Sequence, residues 1–173
     1  MAGSLEFIKS ANTTSHVSLI SATNCFSDKY DVYKVIYKVN EVGVELATET
    51  RLIDSGGSVI TDAEYDYAVR FMTSTSAFSE GRATSATNWR YTMYNEGSVG
   101  GFFVMYIFNP YDSSSYTFQT HQMASHYLAS STSTLMARKA IGVHKVAEQI
   151  TGIQVYAASA NITNATLSVY GVK

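Results

Sequence analysis

Four histidines (His16, His121, His126 and His144), fourteen carboxylates and one cysteine, Cys25, are the residues with which this chain could do chemistry. A metal site needs several converging ligands. His121 and His126 lie five residues apart, which matches no standard ligand spacing on a helix. Asp62, Glu64 and Asp66 alternate along a turn-to-strand segment, where a period of two would crowd like charges on one face. A Ca²⁺ ion could relieve that repulsion, but the segment has no EF-hand pattern and no turn glycine, so a solvated face is expected. Nucleophilic catalysis needs a positioned nucleophile, a base and an orienting group. Serines abound without a nucleophile-elbow motif, and a lone cysteine such as Cys25 usually ends as a small buried hydrophobe. Glycosidases pair carboxylates, but nothing in the sequence pairs any two of these fourteen. No P-loop or dinucleotide fingerprint occurs. The expectation is therefore no catalytic residue, no metal and no cofactor.

Aromatic residues are the other feature with chemical content. Trp89, Tyr91 and Tyr94 cluster in one expected strand, and Tyr111 and Tyr116 bracket a Ser-rich turn. A flat apolar ring with a polar edge suits interfaces. One reading makes Trp89, Tyr91, Tyr94 and Tyr111 a platform on which a sugar stacks. The other makes them strand-face packing or a subunit interface.

The composition narrows the classes further. At 173 residues the chain fits one domain. It is 46% hydrophobic but only 15% charged, against roughly 25% in an average domain. A net charge of −2 lacks the basic footprint of a nucleic-acid binder. One cysteine excludes a disulfide scaffold, and no apolar run reaches the roughly 18 residues of a membrane-spanning helix. Met1–Ser4 shows neither the basic nor the apolar region of a secretory signal. Three Asn-X-Thr sequons begin at Asn12, Asn161 and Asn164 and are expected accidents of a Ser/Thr/Asn-rich composition. Hydroxyls leave water at less cost than ions do, so a surface rich in Ser, Thr and Tyr and poor in charge suits burial against other subunits.

The elements that must position these residues read as strands. Short runs at 4–10, 16–22, 30–39, 42–53, 65–73, 88–94, 101–108, 116–123, 138–146, 150–157 and 166–172 are separated by Ser/Thr/Asn/Gly turns. In the third run Tyr33, Val35, Tyr37 and Val39 point one way, with Lys34 and Lys38 opposite. Gly43 marks an irregularity in the fourth. Asp54-Ser55-Gly56-Gly57 is a turn signal, and the only proline, Pro110, sits in another turn at 109–115. Residues 102–108 contain no charged group, which predicts a strand covered on both faces. Residues 121–137 fit either a short helix or a Ser-rich loop. Ten or eleven strands of this kind predict an all-β sandwich or barrel in a single domain.

The end of the chain carries a resemblance. Ile150-Thr151-Gly152-Ile153-Gln154-Val155-Tyr156, Ser159-Ala160-Asn161-Ile162 and Leu167-Ser168-Val169-Tyr170-Gly171-Val172-Lys173 resemble the ending of small virion structural proteins of tailed phages, especially those of marine bacteria and cyanobacteria. Thr166 departs from the small-residue turn usual there. Further agreeing segments are Leu5–Lys9, Phe26–Lys34, Arg51–Ile60, Glu64–Ala68, Arg82–Thr84, Phe108–Tyr116 and Ile141–Lys145, so the resemblance spans nearly the whole chain.

It implies a single-domain antiparallel β-sandwich, jelly-roll-like, with residues 1–14 as an N-terminal arm or first strand and 15–173 as the sandwich. It implies a role on the particle surface, as a capsid decoration (cement) protein or a compact tail or neck appendage. Such a protein is made in the host bacterial cytoplasm and acts by binding. The implied partners are the major capsid protein or tail and neck proteins, with a homotrimer as the implied assembly and no nucleic acid. The lack of a fibrous shaft favours a compact module. A carbohydrate-binding, receptor-recognition module of a tail fibre is the alternative, and a host surface glycan would be its ligand. An enzyme whose site is assembled from distant residues is the third reading.

Overall fold

The computed structural model describes residues 4–41, 46–75, 78–95, 100–129, 132–158 and 161–173, and they form strands without a helix among them. In chain order the strands are β1 (Leu5–Thr13), β2 (Leu19–Ala22), β3 (Val32–Glu41), β4 (Leu46–Asp54), β5 (Tyr65–Thr73) and β6 (Ser79–Ala86). They continue with β7 (Trp89–Asn95), β8 (Gly101–Phe108), β9 (Thr117–Ala129), β10 (Thr132–His144), β11 (Ile150–Ala157) and β12 (Thr163–Val172). Eight pair in the order β1-β12-β3-β8-β9-β10-β5-β6, and four in the order β2-β11-β4-β7. All the pairings are antiparallel. The two sheets pack face to face as a jelly-roll-like β-sandwich, the class the strand pattern predicts.

The alternating apolar residues build the core. Tyr33, Val35, Tyr37 and Val39 of β3 are all fully buried, as are Phe103, Met105 and Ile107 of β8 and Leu167 and Val169 of β12. From the smaller sheet Leu52, Trp89, Met93, Ile153 and Val155 close onto them. Tyrosine hydroxyls fasten the connections. Tyr33 donates to the Ser27 carbonyl at 2.8 Å and accepts from the Ser27 amide. Tyr65 donates to the Ile60 carbonyl and accepts from the Leu52 amide. Cys25 is buried and its thiol donates to the Ala22 carbonyl, so it packs as a small core residue.

Three sequence expectations change, and a fourth narrows. The described part of residues 121–137 is the end of β9 and the start of β10, paired antiparallel, and neither the helix nor the loop expected there. Ser79–Ala86, whose polar sequence gives no strand signal, is edge strand β6. Of the arm or first strand expected at 1–14, the described part is the strand: Leu5–Thr13 pairs with β12 and belongs to the sandwich. Finally, β8 is covered on one face only: Phe102 is 49% exposed and Tyr106 37%. Four strands cover the inner face of eight, and nothing in the described chain lies over the outer face of β8. The irregularity expected at Gly43 lies outside the described residues.

Candidate functional site

The outer face of the eight-stranded sheet is the most unusual surface of the molecule. Its register sets side chains in cross-strand rows. One row runs Lys34, Tyr106, Thr120, Ile141, Ala68 and Arg82. The adjacent row carries Phe108, Phe118, Val143 and Asp66. Farther along, Lys38, Phe102, Ala124, Ala137 and Met72 form another. Phe118 is 46% exposed, and Ile141 and Leu135 are each 59% exposed. Between the apolar rows runs a polar one through Gln122, Lys139, Arg70 and Glu80. A groove of about 810 Å³ crosses this face over Ala68, Phe108, Phe118, Ile141 and Val143. The surface thus has apolar bands on either side of this polar row, with Lys34 and Lys38 on the β3 side and Asp66 and Arg82 on the β5–β6 side. That mixture of apolar and polar groups suits a protein interface.

The start of strand β9 makes the point most sharply, because it is inverted. Thr117, Gln119 and His121 are buried in the sandwich, while Phe118 points outward. The inward row is incompletely satisfied. His121 Nδ1 meets Gln119 Oε1 at 3.1 Å, but Thr117 Oγ1, Gln119 Nε2 and His121 Nε2 have no partner. Burial pushes the His121 imidazole down to about 4. Buried polar groups at Thr117, Gln119 and His121 set against exposed Phe118 cost the isolated protomer stability on both sides of the strand's start.

The aromatic residues singled out in the sequence separate. Trp89 is fully buried, with its indole N–H donating to the Val143 carbonyl at 3.3 Å and its ring edge-on to Tyr65. It offers no face to a ligand, so the stacking role expected for it is withdrawn. Tyr91 and Tyr94, half-buried, converge with Phe71 on the guanidinium of Arg138, at 5.6, 5.4 and 5.0 Å from the ring centres. Tyr91 adopts a left-handed backbone (φ 62°) where β7 slips against β4, and its carbonyl accepts from Arg138 Nη1. These groups border a cavity of about 200 Å³ that Glu49 and Arg90 also line. Tyr111 lies half-buried in the β8–β9 connection. Arg138 and the inward polar row were missed because alternation alone does not say which face of a strand turns inward.

Of the histidines, His16 accepts or donates at Thr163 Oγ1, and His144 is fully buried with two glutamates at its Nε2. Glu64 Oε2 lies 3.0 Å away and Glu148 Oε1 3.6 Å away. Among the described residues these three make the group of His and carboxylate ligand atoms close enough to share a cation. Glu64 alone of the expected acidic trio takes part. Asp66 instead pairs with Lys145 at 2.9 Å and accepts from the Ser85 amide, which holds its carboxyl below the usual range.

No protein-family model matches the chain, and no curated protein matches it. Among solved structures the chain has distant likenesses. An alginate lyase from Aplysia kurodai superposes with a TM-score of 0.37 at 7% identity, over 98% of this chain and 81% of that one. A protein of unknown function from Shewanella oneidensis MR-1 gives 0.26 at 13% identity, over 98% and 79%. A fructofuranosidase from Schwanniomyces occidentalis gives 0.30 at 7% identity, over 98% of this chain and 34% of that one. At such scores these likenesses carry no argument about activity, and function rests on the chain's own residues.

Proposed function

We propose that this protein is a non-enzymatic structural subunit of a phage particle, on the capsid or the tail, which works by assembling through the outer face of its eight-stranded sheet. The observation that carries this reading is the inversion at the start of β9: Phe118 outside, between Phe108 and Val143, over an interior of Thr117, Gln119 and His121. The strand pays twice in an isolated protomer, and a second subunit over the outer face removes one of those costs. The virion setting comes from the sequence resemblance. Copies of this chain are the partners assigned to this face, in the threefold arrangement the resemblance implies. The assembled unit then docks on capsid or tail proteins with the avidity of several weak contacts. A decoration subunit that binds the assembled shell and not its dissociated parts stabilises that shell by mass action.

The reading is tested by counting copies of this protein in purified particles of its phage, relative to the major capsid protein, by quantitative mass spectrometry. Hundreds of copies fit shell decoration, a few to a few tens fit a tail or neck appendage, and absence from the particle overturns the reading. A carbohydrate-recognition role is the second reading, and the surroundings of Arg138 favour it: a cavity with two tyrosine rings and a guanidinium suits an acidic sugar. Saturable glycan binding that disappears in Tyr94→Ala would establish it.

A further inference from the structure

We infer that Glu64, His144 and Glu148 form a binding site for one divalent transition-metal cation of the zinc class, which staples the two sheets together at one end of the sandwich. The three ligands come from separate segments: Glu64 immediately precedes β5, His144 ends β10, and Glu148 lies in the connection that leads into β11. Two of them are set by the backbone. His144 stands opposite Tyr65 in the β5–β10 register, and the Lys145 amide donates to the Glu64 carbonyl at 2.8 Å. The ring of Tyr65 lies 5.1 Å from the imidazole and fixes its plane. His144 is fully buried, so its Nε2 reaches the two carboxylates from inside the protein, while they remain about one-third exposed and open to an entering ion.

The distances suit a metal. Zinc binds imidazole nitrogen and carboxylate oxygen at about 2.0–2.2 Å, which places neighbouring ligand atoms roughly 2.9–3.5 Å apart for angles between 90° and tetrahedral. Here Glu64, 3.0 Å from Nε2, falls within that range and Glu148, at 3.6 Å, lies just beyond it, and all three atoms lie within 4.8 Å of one another. Hydrogen bonding alone leaves the group incomplete. Nε2 has one proton to give, Glu64 is in range to take it, and Glu148 at 3.6 Å is not. A dication in place of the shared proton meets all three ligand atoms. Imidazole with two carboxylates suits zinc-class ions better than the all-oxygen shells of Ca²⁺ or Mg²⁺. Glu64 and His144 belong to the eight-stranded sheet's end, whereas β11 belongs to the four-stranded sheet, so the ion would tie one to the other.

The test titrates Zn²⁺, and Co²⁺ as a spectroscopic probe, into chelator-treated full-length protein, by calorimetry and by visible absorption. The expected result is one equivalent bound at micromolar concentration or tighter, a d–d spectrum of low-symmetry Co²⁺, and a Tm that rises with free Zn²⁺. Glu148→Gln, a partly exposed position in a connection, should keep the circular dichroism of the parent yet bind at least about tenfold more weakly and lose the Tm rise. Glu64→Gln should behave alike. The inference is overturned if the wild-type protein binds neither ion stoichiometrically, or if both variants bind as the wild type does.

Discussion

Arg138 enters the sandwich without an ion pair among the described residues, held by the Tyr91 carbonyl and three aromatic rings. Burial lowers its guanidinium to about 10, a sign that the charge is poorly compensated. Replacing a buried charge with an apolar side chain of similar volume is often neutral or stabilising. Arg138→Met is therefore expected to change the unfolding free energy by less than about 1 kcal/mol, as read by urea denaturation; a loss of several times that would give the cation a stabilising role this account does not assign. His121 has a pH signature. The folded state holds its imidazole neutral down to about pH 4, from an ordinary value of 6.5, while the unfolded chain takes up a proton sooner. Stability from this residue is complete above pH 6.5 and is lost as pH falls from there toward 4, by an amount on the order of 3 kcal/mol. His121→Gln should flatten the dependence of unfolding free energy on pH across that window, and an unaltered slope would count against the burial of His121. The Glu6 carboxyl, held down to about 2 by Lys173 and Lys29, acts lower, with its share lost only as pH falls from 4.5 toward 2.

At the scale of elements, alternation made β3, β5, β8 and β11 legible from sequence to within a residue or two at each end. Tyr33, Val35, Tyr37 and Val39 point inward as their pattern requires. What alternation could not supply was the direction of β9. Its row of Thr117, Gln119 and His121 would ordinarily face solvent and Phe118 the core, but the pairings Phe118↔Phe108 and Phe118↔Val143 fix the opposite orientation. Register is set by neighbouring strands as well as by a strand's own polarity. The polar strand β6 was illegible for a similar reason: it owes its existence to pairing with β5. The Glu64–His144–Glu148 group was hidden because 80 residues of chain separate its first two members. Gly142 shows how tightly β10 packs on β7. A Cβ there would lie 2.7 Å from Trp89 Nε1 and 2.8 Å from Gln119 Nε2. Gly142→Ala should cost about 1–3 kcal/mol and shift the fluorescence of Trp89, the single tryptophan, to the red; a variant with parental stability and emission would contradict this packing.

At the scale of the whole molecule, eight strands face four, and the uncovered sheet face carries apolar bands. A monomer seldom exposes apolar bands of this size without using them. The face exposes Phe102, Phe118, Leu135 and Ile141 on either side of a polar row through Gln122 and Lys139, which suits another protein. Self-assembly through this face is the central claim, and sedimentation velocity of the purified protein tests it most directly. The wild-type chain should sediment as a discrete oligomer at micromolar concentration. The double variant Phe118→Thr, Ile141→Thr, which keeps residues suited to strands, should sediment as a monomer with unchanged circular dichroism, since losing two central apolar anchors costs about 2 kcal/mol or more each. A wild-type protein that stays monomeric across that concentration range, or an oligomer that the double variant leaves intact, would contradict the account.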